Sequence, residues 1–138
     1  MDSDIMHAGV AVTDGITVML AKRATHWRGK PLSYGGYWSV FAGTVEPDET
    51  PFKGAERELD EETGIKITHP LKFIRKINGR RKIPFYFYVY EVDKIPFPVL
   101  DEEHTEWGLF RITDLGVSPS PIDGDIVRCL KFYQESNS

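Results

Sequence analysis

The chain has 138 residues, of which 41% are hydrophobic and 28% charged, and a net charge of −4. These values fit one globular domain spanning 1–138 and leave nothing that resembles a disordered or fibrous chain. The acidic balance argues against a general nucleic-acid binder, whose affinity comes from Lys and Arg. No stable nucleic-acid partner is therefore expected. Cys129 is the single cysteine and excludes an internal disulfide. The N-terminal MDSDIMHAGV has no apolar signal core, and no run approaches the ~18 apolar residues of a membrane span. The expectation is no membrane partner and a cytoplasmic, reducing location.

In chain order, His7 to Thr13 alternates like a strand. Asp14-Gly15 gives a hairpin turn signal, with Ile16 to Ala21 as the return strand. Residues 24–37 are rich in glycine and polar groups and read as a loop. Trp38 to Phe41 reads as a short strand that ends at Gly43. Thr50 followed by Pro51 marks a helix start, a side-chain cap and then a proline where no N–H is needed. The helix is expected over Pro51 to Thr63, with Gly64 as a left-handed C-cap. Leu71 to Ile77 and Ile83 to Val92 are β-rich and flank the turn signal Asn78-Gly79, with Pro84 near a strand start. Pro96 and Pro98 break the next stretch into a loop that carries Asp101, Glu102, Glu103, His104 and Glu106. Trp107 to Ile112 is a last strand. Ile122, Ile126, Val127, Leu130 and Tyr133 follow a helical period, and Cys129 reads as a small core residue of that helix. The order of strands, helix, strands, helix predicts an α/β fold, a mixed sheet with helices on both faces.

The informative stretch is Gly43 to Ile65, GTVEPDETPFKGAERELDEETGI. At ~100° per residue, Glu62 lies roughly 40° from Glu58 and Glu61 roughly 60° to its other side. Three carboxylates thus crowd one helix face beside the apolar stripe of Phe52, Ala55 and Leu59. Arg57 lies four residues before Glu61 and within reach of it, and Glu49 can fold back toward the helix start. Like charges at this spacing repel by a few tenths of a kcal/mol each. The cluster is either a solvated acidic face or a divalent-cation site, since hard cations take carboxylate oxygens.

Gly43, Glu49, Arg57, Glu58, Leu59, Glu61, Glu62, Gly64 and Ile65 fall at the spacings of the Nudix box: G, five residues, E, seven residues, then R-E-U-x-E-E-x-G-U, where U is a bulky aliphatic. Seven fixed residues match by chance on the order of once in 10⁹ starting positions. The chain therefore resembles the Nudix hydrolases, and its surroundings are similar to the MutT-like members. The resemblance implies an α/β/α sandwich with a mixed sheet, and cleavage of a phosphoanhydride in a small nucleotide-like substrate with Mg²⁺ or Mn²⁺. A nucleoside triphosphate is the leading substrate class. ADP-ribose, a nucleotide sugar, a dinucleotide or a cap is the alternative, and a silent binding module is the other. Many members dimerise, and a homodimer is compatible with the chain, but no exposed stripe identifies an interface.

Residue by residue, the resemblance implies that Glu58 and Glu62 are metal ligands with Glu61 beside them as ligand or base. Gly43 would offer its carbonyl and permit close approach, and Arg57 would hold Glu49 or Glu61. Glu58, Glu61 or a residue of the 101–106 loop would be the base. In MutT-like members an acidic residue precedes a Trp, so Glu106, before Trp107, is expected as an added ligand. Glu103 and His104 are weaker candidates. For the substrate, Arg23, His26 and Arg28 are candidate phosphate contacts, with Lys30 nearby. Tyr34, Tyr37, Trp38, Phe85 and Tyr86 are candidate stacking or lining rings. Asp123, or its rival Asp125, is a candidate to read the base edge, with a helix cap as the competing role of Asp123. One departure is Ala42, where many members have a second glycine.

Overall fold

The computed structural model describes residues 5–117 and 121–136. Its elements in chain order are β1 (His7–Thr13), β2 (Thr17–Arg23), β3 (His26–Trp27), β4 (Lys30–Pro31), β5 (Trp38–Ser39), β6 (Phe41–Thr44), α1 (Pro51–Thr63), β7 (Lys72–Asn78), β8 (Pro84–Glu91), β9 (His104–Arg111) and α2 (Gly124–Ser136). Strands β7, β8, β1, β2 and β5 run side by side. The other edge of β1 is shared, because β2 pairs with it at Val12 and Thr13 and β6 pairs with it from His7 to Val10. β9 lies on the outer side of β2. The β1–β8 pair is parallel and the other pairs are antiparallel, so the sheet is mixed, as expected.

Alternation along the central strands sorts the core into two layers. Val18 and Leu20 of β2 join Phe85, Phe87 and Val89 of β8 and Ile126, Cys129, Leu130 and Tyr133 of α2. Met19 and Ala21 join Val10, Val12 and Tyr88, with Ala55 and Leu59 of α1. One helix therefore covers each face, the α/β/α sandwich of the sequence reading. Burying an aliphatic side chain of this size stabilises by about 1.5–3 kcal/mol, so the two stripes fix both helices to the sheet.

Local signals account for the turns. Gly15 takes φ 96°, and Asp14 Oδ1 accepts from the N–H groups of Ile16 and Thr17 at 3.0 and 2.7 Å. Thr50 Oγ1 accepts from Lys53 N at 3.2 Å, and Gly64 closes α1 at φ 75°. The region 24–37 is not a plain loop. Its β3–β4 hairpin turns through Arg28 and Gly29, both at positive φ. The connection after Asn78 is longer than a tight hairpin, because a 3-10 turn over Arg80–Lys82 intervenes before Pro84 opens β8. The last strand begins three residues earlier than expected, at His104. The final helix begins at Gly124, after Pro121–Asp123 has docked beside Trp38, whose N–H donates to Pro121 O and whose carbonyl accepts from Asp123 N.

Candidate active site

The site forms where β6, α1 and the segment before β9 meet. Gly43 lies beneath α1, and a side chain there would overlap the Glu58 carboxylate. On β1, Gly9 pairs with Ala42, and a Cβ at Gly9 would come within 2.8 Å of the Ala42 methyl. The neighbouring strand thus supplies the space that the non-glycine residue before Gly43 takes up.

Arg57 organises the acidic face. Its Nε and Nη2 donate to Glu49 Oε2 and Oε1 at 2.8 and 3.0 Å, a two-bond clamp. Nη1 donates to Glu58 at 3.0 Å and to Glu61 at 3.2 Å, and Nη2 also reaches Thr44 O at 3.1 Å. The expected grip on Glu49 or Glu61 is therefore a grip on both. Hydrogen bonds from the Arg57 guanidinium hold the Glu49 carboxyl down at about 2, as charge-assisted pairing requires. Glu49 Oε1 also accepts from Glu46 N at 2.9 Å, which closes the turn before the helix.

Glu62 behaves differently. It is 3% exposed, and its Oε1 has no hydrogen-bond partner among the described residues. Burial pushes its carboxyl well above the usual range, and the nearby Glu58, Asp101 and Glu103 push the same way. A buried carboxylate oxygen without a donor is costly. The neighbouring carboxylates of Glu58, Asp101 and Glu103 are hard oxygen donors, which is the ligand chemistry of Mg²⁺ or Mn²⁺. The residues present therefore fit a divalent cation. Among the described residues no three His, Cys, Asp or Glu side chains already converge as a cage. That is compatible with Mg²⁺, which keeps several waters and needs few protein ligands.

The segment before β9 contributes more than one acid. Asp101 N donates to Glu62 O at 3.3 Å and Val99 N to Thr63 O at 2.8 Å, which ties this segment to the end of α1. Asp101 Oδ1 lies 2.7 Å from His104 Nδ1, while His104 Nε2 stands 3.7 Å from Glu62 Oε1. The His104 side chain is only 4% exposed and stands edge-on to Phe41. Glu103 lines a cleft of 480 Å³ together with Arg23, Gly43, Arg57 and Glu58.

Glu106 is placed elsewhere. It pairs with Lys22 and His104 pairs with Arg23, with a bulge between them. Consecutive residues of β2 face opposite sides of the sheet, so Glu106 lies on the face away from α1. Its carboxylate is 58% exposed and 3.7 Å from Lys22 Nζ. The acid before the Trp is therefore not the one beside Glu62. Glu103 and Asp101 take that place.

A second cleft, of 370 Å³, adjoins the first through Arg23, Ala42, Gly43 and Thr44, and Glu62 and His104 also line it. Tyr34, Tyr37, Phe85 and Arg81 lie along it, as do Asp123 and Asp125. Tyr34 and Tyr37 stand edge-on with ring centroids 5.5 Å apart. Arg23 Nε donates to Ser33 O at 2.8 Å, which turns the arginine into the junction of the two clefts. Asp123 does two things. It accepts from Asp125 N at 3.0 Å at the start of α2, and burial raises its carboxyl above the usual range while it faces the cleft. His7 also lines this cleft and has its imidazole lowered by burial, and the sequence reading gave it no role.

Four substrate candidates, His26 of β3 and the three that follow, lie outside both clefts. Trp38 is a core residue against Phe110, because β5 is pinned between β2 and the Pro121–Asp123 segment. Tyr86 faces the α1 layer beside Lys76, because its neighbour Phe85 has the face toward the cleft. Arg28 sits at the tip of the β3–β4 turn, 4.6 Å over the Trp27 ring.

Comparison with known proteins accords with this geometry. The NUDIX domain model matches residues 5–130. The NUDIX domain of Shewanella oneidensis NrtR, solved with ADP ribose, superposes with a TM-score of 0.75 at 14% identity, over 96% of this chain and 88% of that one. A Caenorhabditis elegans Ap4A hydrolase does so at 0.72 and 16% identity, over 95% and 97%. A MutT protein of Methanosarcina mazei does so at 0.71 and 21% identity, over 97% and 94%. Among curated proteins, a stretch of 33 residues is 48% identical to an octanoyltransferase of Myxococcus xanthus, covering 24% of this chain and only 9% of that protein. The solved structures speak to the fold and the domain model to the family. The chain belongs to the NUDIX domain family, with the complete box motif of its diphosphohydrolases in place.

Proposed function

We propose that the protein hydrolyses a phosphoanhydride bond in a small nucleotide, with Mg²⁺ or Mn²⁺, and that a nucleoside triphosphate is its leading substrate class. The observation that carries this reading is Glu62, a buried carboxylate with a partnerless oxygen, set beside Glu58 on a helix packed over Gly43. Glu58 and Glu62 would hold the cation, with Glu61 and Glu103 at the margin. A divalent ion there would neutralise phosphate oxygens and lower the pKa of water.

The chain's own residues do the rest. Arg57 keeps Glu58 and Glu61 on one face through Nη1 and is itself anchored by Glu49. Arg23, between the two clefts, is placed to meet a phosphate. Water attacks phosphorus in line with the leaving phosphate, and a carboxylate takes its proton. Glu61 and Glu103 are the two exposed enough to exchange it with solvent, at 57% and 36%. Tyr34 and Tyr37 supply ring faces for a base, and Asp123 supplies a half-buried polar edge.

A second reading, a two-lobed substrate such as ADP-ribose, is supported by the two adjoining clefts and by the ligand of the NrtR NUDIX domain. A panel of nucleoside triphosphates, ADP-ribose, NADH, a dinucleoside tetraphosphate and capped RNA, with and without Mg²⁺ or Mn²⁺, separates the readings. Metal-dependent cleavage of triphosphates supports the first. Exclusive cleavage of the two-lobed compounds replaces it with the second.

A further inference from the structure

The net charge of −4 hides a strong segregation. Residues 72–82, KFIRKINGRRK, hold six of the seventeen Lys and Arg and none of the twenty-one Asp and Glu, which leaves the other residues at a net −10. These cations follow one physical edge. β7 pairs only with β8 and is therefore the outer strand on that side of the sheet, and the turn after it contains Arg81 and Lys82. None of the described ion pairs uses Arg75, Lys76, Arg81 or Lys82.

Lysines on an outer strand also prevent edge-to-edge pairing, which would account for Lys72 and Lys76. It does not account for the turn. Arg81 and Lys82 both hold positive φ, 58° and 61°, where glycine or asparagine would be favoured. Long cations occupy strained positions with no edge to protect.

Aromatic rings are interleaved with the charges. Phe73 is 51% exposed and packs beside Tyr86 and Tyr88 on the α1 side. Lys76 lies 5.5 Å from the Tyr86 ring centroid on that side, and Arg75 lies 4.5 Å over Phe132 on the other. An acidic peptide needs the charges alone. Cations on either side of the exposed Phe73 ring are what a single nucleic-acid strand needs, cations for phosphates and a ring face for a base. The seven residues of β7 span roughly 20 Å, and at the end of the strip Arg81 lines the 370 Å³ cleft.

We propose that the β7 edge and the turn after it bind a single-stranded nucleic acid whose terminal nucleotide enters the cleft at Arg81. Binding along the strip stands by itself, and only the placement of the terminal nucleotide rests on the proposed function. The low overall charge does not oppose this, because a polyanion responds to the local field within a Debye length of about 8–10 Å.

The test is anisotropy of a ten-nucleotide single-stranded RNA, labelled at its 3′ end, titrated with the full chain in EDTA so that no turnover occurs. The wild type is expected to bind with a log–log salt slope of about −2, as for three phosphate contacts. The double variant Lys76→Glu, Lys82→Glu is expected to bind about tenfold or more weakly at low salt and to flatten the slope by about 1.4. A matched double reversal at exposed Lys53 and Lys94 is expected to change affinity less than about threefold. Circular dichroism checks that both variants are folded.

Equal weakening in the two variants, or no binding by the wild type at low salt, overturns the proposal. A polyglutamate peptide bound as tightly as the RNA overturns the choice of occupant. Strand binding that persists while every substrate stays intact would remove the proposed hydrolysis and leave the strip.

Discussion

The Glu58 carboxylate occupies the space that a side chain on residue 43 would fill. The glycine that opens the motif thus acts through the glutamate above it. Gly43→Ala must push Glu58 off the α1 face or shift β6. The expected result is a fall in kcat/KM of about tenfold or more, since misplacement by an ångström has costs of this order. Activity equal to wild type would show that Glu58 can move without consequence.

Glu62→Gln removes a buried charge but keeps the shape. Turnover is expected to fall by orders of magnitude, while metal-free thermal stability holds or rises by about 1 kcal/mol, because a buried carboxyl crowded by Glu58, Asp101 and Glu103 becomes a neutral amide. Calorimetry in EDTA alongside a steady-state assay separates the two effects. A clear loss of stability would mean that the hydrogen bond shared with Glu58 outweighs the repulsion around it.

Glu103 and Glu106 lie three residues apart, but Glu106 is on the far face of the sheet, opposite Lys22. Glu106→Gln is expected to leave kcat/KM within about twofold, as exposed ion pairs contribute little. Glu103→Gln is expected to lower it by about 10²-fold or more if it takes the proton. The reverse ranking would restore Glu106 to the site.

The Glu49–Arg57 clamp predicts the acid limb of stability. The Glu49 carboxyl moves from about 4.5 to about 2 in the folded protein. Its contribution is therefore full above pH about 4.5 and is lost as the pH falls toward about 2. Glu49→Gln is expected to be less stable at neutral pH and to lose less of its remaining stability across that window, as denaturant titration at several pH values would read. An unchanged pH slope would mean that the clamp contributes nothing to folding.

The helix Pro51–Thr63 was legible to the residue, because its limits depend on neighbours in sequence: Thr50 as cap, Pro51 in the first turn, Gly64 at positive φ. The acidic face was legible for the same reason. What escaped depends on contacts distant in sequence. The bulge that separates His104 from Glu106 exists only in the register of β9 against β2. Whether Phe85 or Tyr86 faces the cleft depends on the pairing of β8 with β1, and an error of one residue exchanges the faces. The β3–β4 hairpin was missed because Arg28-Gly29 is a weaker turn signal than Asn-Gly and its strands have only two residues each. The pairing of Asp101 with His104 had a local trace, an acid three residues before a histidine, and could have been found.

The most direct test of the central claim is phosphate release from a panel of nucleoside triphosphates by wild type and Glu62→Gln, with EDTA, Mg²⁺ or Mn²⁺. Cleavage by the wild type is expected only when a divalent cation is present, with its near-complete loss in the variant. Cleavage that persists in EDTA, or a variant as active as the wild type, would contradict it.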